Sequence, residues 1–281
     1  MYSPEEVAEY YNHTQHHYIR WWNLKSSLAL HYGIWEKETV NFSQALENTN
    51  RLMMELADIN DGDHILDAGC GVGGAAIYLA KAKNIKVTGI TLSEVQLELA
   101  EQSALDFKIS ERVKFHIMDF TKTEFVDEFF DVVWACESMC HAANREAFID
   151  EAYRILKRGG RLVISDYFLS KSHLHDPANL LGKWLTKWRV AQLTTLVDFA
   201  KTLEKSQFKS IRATDYSMAI RRSSRRMYFA SLAGAIPSIL YNVFHPRVSK
   251  AAAQHYQSGY YQFKALKRGL WNYVMLVAVK K

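Results

Sequence analysis

The feature that most restricts the fold is a change of hydrophobic rhythm at Asp61. From there the apolar runs His64–Ala68, Ile85–Ile90, Val113–Ile117, Phe130–Ala135 and Arg161–Ser165 alternate with amphipathic stretches over Gly73–Lys83, Glu94–Lys108 and Arg145–Lys157. Short apolar runs separated by helix-length segments read as βαβ units, with a parallel sheet buried on both faces. Gly159-Gly160 is expected to close the third helix as a left-handed cap. Past Ser165, a helix over Val190–Lys205 and a strand over Ser210–Tyr216 continue the sheet, and Tyr273–Val279 supplies its last strand. The expected fold class is α/β, a doubly wound, mostly parallel seven-stranded sheet.

Other segments divide the chain. Residues 1–58 read as an N-terminal helical lid, with helices over Glu5 to Trp22 and Phe42 to Leu56. Residues 59–217 form the ligand-binding core, 218–270 a basic, aromatic, helical insertion that caps the substrate, and 271–281 the last strand. With 281 residues, 48% of them hydrophobic and 23% charged, the composition is that of a globular protein. Cys70, Cys136 and Cys140 are too few and too unevenly placed for a disulfide framework or a metal site, so a cytoplasmic, reducing location is expected. The acidic start Met1 to Glu6 does not resemble a signal peptide, and no apolar run reaches the ~18–20 residues of a membrane span.

Charge is unevenly spread. Residues 208–281 carry thirteen Lys or Arg against the single acid Asp215, a balance of +12 that leaves −7 on residues 1–207. A solvated basic face, an anionic substrate and peripheral contact with anionic lipid all fit. Interleaved aromatics (Tyr228, Phe229, Tyr260, Tyr261) would also suit a single-stranded nucleic acid. That reading leaves Asp119 and Glu137 without a purpose, and no nucleic-acid partner is expected.

The first strand runs into Asp67-Ala68-Gly69-Cys70-Gly71-Val72-Gly73-Gly74. Gly69, Gly71 and Gly74 satisfy G-x-G-x-x-G, which lets the backbone turn tightly and approach a ligand at a helix N-terminus. A ligand-free strand-to-helix turn satisfies it too. Two features argue against a nicotinamide cofactor: Asp67 would repel a diphosphate but attract an ammonium, and the second strand ends in Thr91 instead of the expected acid.

These residues resemble the first motif of the class I S-adenosylmethionine-dependent methyltransferases, over about residues 60–170. The resemblance implies that Asp67, Gly69, Cys70 and Gly71 hold the methionine portion of S-adenosyl-L-methionine. Thr91-Leu92-Ser93-Glu94-Val95-Gln96 is similar to the Thr-Leu-Ser-x-x-Gln string of the cyclopropane-fatty-acid and sterol branch, which implies a ribose contact shared by Thr91 and Gln96, with Leu92 also at the cofactor. Ser93 and Gln96 also read as a capping box. Met118, Asp119 and Phe120 end the third strand as an acid between two large apolar residues, which suits a flat ring with a polar edge.

The fourth strand ends Cys136-Glu137-Ser138-Met139-Cys140-His141. The Asp-Pro-Pro-Tyr-like string of amino-methylating nucleic-acid enzymes is absent. The segment resembles the Glu-x-x-Cys-His string of sterol side-chain methyltransferases and the similar one of tocopherol-type enzymes. By that resemblance Cys136 belongs to the cofactor wall, Glu137 stabilises positive charge and His141 takes a proton. Helix capping by Glu137 and a packed histidine are the alternatives. Tyr10, Tyr11 and Tyr32, beside the lid string His31-Tyr32-Gly33-Ile34-Trp35, are expected at the substrate, and so are Arg225 and Arg226 if the acceptor carries an anionic head. The favoured activity is C-methylation of an isoprenoid, sterol-like or prenylated-quinol acceptor. N- or O-methylation of a small amine, phospho-amine or phenol is the alternative, with a nicotinamide oxidoreductase or an RNA-binding module more remote.

Overall fold

The structure is a computed structural model, in which residues 2–21, 27–171, 175–244 and 255–281 are described. Trp22, Arg247 and Lys250 lie outside the described residues. The strands are β1 His64–Ala68, β2 Lys86–Thr91, β3 Val113–Ile117, β4 Phe130–Cys136, β5 Leu156–Leu169, β6 Phe208–Asp215 and β7 Trp271–Lys280. They form one sheet in the order β3-β2-β1-β4-β5-β7-β6, in which β7 runs antiparallel to both neighbours and the other pairs are parallel. The order reverses between β1 and β4, and the crevice at their carboxyl ends is where such a sheet takes a ligand.

Among the described residues the helices are α1 Pro4–Trp21, α2 Phe42–Leu56, α3 Gly74–Ala82, α4 Glu94–Asp106, α5 Arg145–Ile155, α6 Leu180–Lys187, α7 Leu196–Lys205, α8 Arg221–Phe244 and α9 Ser258–Lys267. α1 opens on a capping box in which Ser3 Oγ accepts from Glu6 N–H at 3.3 Å and the Glu6 carboxylate from Ser3 N–H at 2.9 Å, and four more helices have side-chain N-caps. Asn41, Ser93, Asn144 and Thr195 accept from the N–H groups of Gln44, Gln96, Ala147 and Asp198, which fixes where α2, α4, α5 and α7 begin. Alternation along the strands divides the core. Val132 and Trp134 of β4 join Trp184, Trp271 and Tyr273 on one face, while Val133 and Ala135 join Phe148, Phe168 and Phe199 on the other.

Three local expectations are corrected. α5 stops at Ile155, and Gly159-Gly160 lies inside β5 as a bulge. Phe130 pairs with Leu156 but Val132 with Arg161, so residues 157–160 loop out, and Gly159 takes φ +75°. The pull is Leu156, fully buried against the second face, which enters the sheet before the glycines arrive. The helix expected over Val190–Lys205 begins only at Leu196, because Val190, Ala191 and Leu193 are buried in an extended connection in which Ala191 N–H donates to the Cys140 carbonyl at 2.9 Å. α6 was not expected. Its Trp184 is fully buried and anchors the connection after β5.

The segments outside the sheet close over the crevice. α1 packs on α4, where Ser93 Oγ donates to Asn12 Oδ1 at 2.5 Å. Fully buried Gln262 of α9 ties three pieces together: its Oε1 accepts from Tyr32 (2.7 Å) and Ser224 (2.8 Å), and its backbone carbonyl from Trp271 Nε1 (3.2 Å).

Candidate active site

A cavity of about 310 Å³ opens at the carboxyl ends of β1, β2, β3 and β4. Its wall brings together Asp67, Gly69, Cys70, Gly71, Thr91, Leu92, Gln96, Met118, Asp119, Phe120, Cys136, Glu137 and His141, residues from four separate stretches of sequence. A second, smaller cavity of about 30 Å³ lies behind Glu137 and His141 and is lined by Tyr10, Tyr11, Tyr32, Tyr167, Trp188 and Met227 among others. Tyr11, Leu30, His31, Glu137 and His141 line both, and so form the partition.

The glycine loop is shaped by contact as well as by turn geometry. Gly69 has φ +86°, and a Cβ there would stand 2.4 Å from that of Ser138, whose hydroxyl donates to the Ala68 carbonyl at 2.5 Å. A Cβ on Gly74 would meet the Leu28 carbonyl oxygen at 1.9 Å, so the lid segment rests directly on the start of α3. Asp67 is buried at this turn, and its Oδ2 has no hydrogen-bond partner. Burial raises its carboxyl to about 7. An orphaned carboxylate oxygen in the wall of a cavity calls for a cationic donor, and the ammonium of an amino-acid ligand supplies one.

Farther along, Thr91 Oγ1 donates to Gln96 Oε1 at 2.9 Å and accepts from Ser93 N–H at 3.2 Å. The contact Gln96 can offer a ribose is therefore its NH₂. Ser93 also caps α4, so the capping and ligand readings hold together. Asp119 Oδ1 accepts from the N–H and hydroxyl of Thr121, each at 2.8 Å, which orients the carboxylate at the cavity and leaves Oδ2 as acceptor for an amino edge. Met118 and Phe120 flank it, with Phe120 set edge-on against Phe148 at 5.2 Å. This donor set fits S-adenosylmethionine from end to end.

Glu137 follows β4 in the left-handed region, at φ +50°. Its Oε1 accepts from Tyr32 N–H at 2.5 Å and from the Tyr273 hydroxyl at 2.7 Å, and its Oε2 accepts from the Tyr167 hydroxyl. Burial raises its carboxyl to about 8 against these donors. His141 sits on the 3-10 turn Met139–His141. Its Nδ1 donates to the Arg189 carbonyl at 3.0 Å, which leaves Nε2 to accept from the Tyr11 hydroxyl at 2.8 Å. Burial lowers its pKa to about 4, so the ring is neutral at pH 7.

Arg225 and Arg226 do not belong to this site. They are exposed on α8, on the side opposite Met227, which faces the inner cavity. Three residues that matter here were not singled out in the sequence. Tyr167 and Tyr273 are direct partners in the β5–β7 pairing and converge on Glu137. His31, buried in the partition, donates from Nδ1 to the Tyr32 carbonyl at 3.0 Å, and its Nε2 has no partner. No local pattern marks the tyrosine pair, because the two residues lie on strands distant in sequence. The lid string containing His31 was the available signal for that residue.

Comparison with known proteins agrees with this geometry. A family model described as "Methyltransferase domain" matches residues 66–164. The chain is 38% identical over 143 residues to 27-O-demethylrifamycin SV methyltransferase of Amycolatopsis mediterranei (strain S699), an alignment that spans 51% of this chain and about half, 53%, of that protein. It is 30% identical over 190 residues to O-methyltransferase rstn1 of Aspergillus nomiae, spanning 66% of this chain and 83% of that protein. Among solved structures, the [4+2]-cyclase SpnF superposes with a TM-score of 0.82 at 22% identity over 99% of this chain and 96% of its own, a likeness of fold. With its sheet order, its glycine loop and these relatives, the chain belongs to the class I S-adenosylmethionine-dependent methyltransferases.

Proposed function

We propose that this protein methylates a hydroxyl group of a lipophilic small molecule, with His141 as the base. The observation that carries the reading is the state of His141. It is neutral, its Nδ1 proton is committed to the Arg189 carbonyl, and its Nε2 accepts from a hydroxyl at the partition between the two cavities. An acceptor hydroxyl that takes the place of Tyr11 O–H would meet the same lone pair. The cofactor, when bound along Asp67, Thr91, Gln96 and Asp119, supplies an electrophilic methyl group on a sulfonium. The protein's own part is alignment, exclusion of water by the lid and removal of the proton.

The inner cavity, at about 30 Å³, admits at most the reactive end of an acceptor, and Tyr10, Tyr32, Tyr167, Trp188, Val190 and Met227 around it favour a greasy one. The relative named 27-O-demethylrifamycin SV methyltransferase carries the O-demethyl acceptor in its name, which supports oxygen as the acceptor atom. A second reading, methylation of an alkene carbon in an isoprenoid, sterol-like or prenylated-quinol acceptor, is favoured by the rings of Tyr32, Tyr167 and Tyr273 clustered at Glu137, whose faces attract a cation. The deciding experiment incubates the protein with labelled methyl donor and a panel of lipophilic alcohols, phenols, sterols, prenyl diphosphates and amines. Label on oxygen, with turnover reduced about 10²–10⁴-fold in His141→Ala, is the expected outcome. Label on carbon or nitrogen, or an active His141→Ala, overturns it.

A further inference from the structure

We propose that the outer face of α8 docks the protein on an anionic lipid surface. The phase of the helix is set by its buried residues. Ile220, Ser223, Ser224, Met227 and Ser231 lie on the inner side, where Ser223 Oγ donates to the Gly33 carbonyl at 2.6 Å and Met227 reaches the inner cavity. At about 100° per residue, Arg221, Arg222, Arg225, Arg226, Phe229 and Leu232 all fall on the opposite side. The four arginines are exposed, and Phe229 and Leu232 remain 58% and 47% exposed in their midst. Met218, just before the helix, is 75% exposed.

None of the four guanidinium groups has an acidic partner among the described residues. No acid occurs anywhere between Met218 and Gly269. Two are held by aromatic faces instead: Arg222 lies 5.3 Å from the Trp35 ring and Arg226 4.9 Å from that of Phe42. These contacts extend the patch to the loop before α2, where Val40 is 80% exposed. The acid in that loop closest to Trp35, Glu36, is paired with Arg51 and does not neutralise the arginines.

A cationic face studded with exposed apolar side chains suits the headgroup region of a bilayer, where charge attracts and the apolar residues insert shallowly. Charge complementarity alone would also admit a polynucleotide, but Phe229, Leu232, Met218 and Val40 are exposed apolar side chains, and three of them have no ring for stacking on bases. Among the described residues no helix is long and apolar enough to cross a membrane, so the contact is with the surface. Met227 on the inner side of the same helix lines the inner cavity, which places that cavity one helix diameter from the lipid. This docking does not depend on which atom is methylated.

The test is flotation of the full chain with vesicles of phosphatidylcholine alone and of phosphatidylcholine mixed with phosphatidylserine, at low and high salt. Binding to the mixed vesicles only, weakened by salt, is expected. Arg221→Gln, Arg222→Gln, Arg225→Gln and Arg226→Gln combined should lower partitioning about 100-fold or more, and Phe229→Ser with Leu232→Ser should lower it separately. Calorimetric binding of S-adenosylhomocysteine, unchanged in both variants, shows that they are folded and keeps a failure here distinct from a failure of the methyl-transfer reading. Absence of binding to mixed vesicles, or equal binding by the arginine variant, overturns the proposal. So does binding of a single-stranded oligonucleotide, lost in that variant, with none to vesicles.

Discussion

Two buried carboxylates meet the cavity with opposite needs. Glu137 is saturated by three donors, while Asp67 keeps an oxygen without a partner. With its carboxyl at about 7, ligand-free Asp67 is mostly protonated at pH 6 and ionises when an ammonium arrives. Binding of S-adenosylhomocysteine should therefore release close to one proton at pH 6 and about half at pH 7. Calorimetry in buffers of different ionisation enthalpy measures this, and Asp67→Asn should abolish it. Asp119→Ala should weaken the same ligand by ~1–3 kcal/mol, the cost of an unpaired polar edge; unchanged affinity would remove Asp119 from the site. Glu137→Gln should lower turnover far more than cofactor affinity, and an equal loss of both would reduce it to a cofactor ligand.

Elements hold these residues in place. The lid segment touches α3 through Leu28, itself at φ +49°, whose carbonyl occupies the space above Gly74. Gly74→Ala should separate the two, at a cost of ~1–3 kcal/mol in stability, and weaken S-adenosylhomocysteine binding; wild-type values for both would show that the lid rests elsewhere. The antiparallel pairing of β5 with β7 sets Tyr167 opposite Tyr273 and delivers two hydroxyls to one carboxylate. Tyr273→Phe removes one, and unfolding should become easier by about 1–3 kcal/mol, measured by denaturant titration.

Over the whole molecule the raised and lowered groups oppose one another. Asp166, Asp67 and Glu137 are raised to about 6, 7 and 8, so their contribution to stability is complete at low pH and is lost as pH rises through those values. His141, lowered to about 4, contributes above its ordinary 6.5, and that contribution is lost as pH falls toward 4. Between about pH 4.5 and 6 three acids lose stability while one histidine gains it, so the thermal midpoint of the ligand-free protein should fall from about pH 5 toward pH 8, less steeply in Glu137→Gln. A midpoint that rises steadily to pH 9 would contradict the burial of these acids.

Much of this was legible in one dimension, because its causes are local. The βαβ rhythm, the turn at Gly69–Gly74, the cap at Ser93 and the acids at the ends of β1 and β3 each depend on neighbours a few residues away, and the structure brings both acids to the cavity wall. Gly159-Gly160 misled because two glycines serve a bulge as readily as a helix end, and burial of Leu156 decides between them. Tertiary structure alone chose the partners of Glu137, one of them 136 residues away, and the direction in which the α8 arginines face. A charge count records how many cations a helix carries. Which way they point is set by the packing of its other side, and that depends on the rest of the chain.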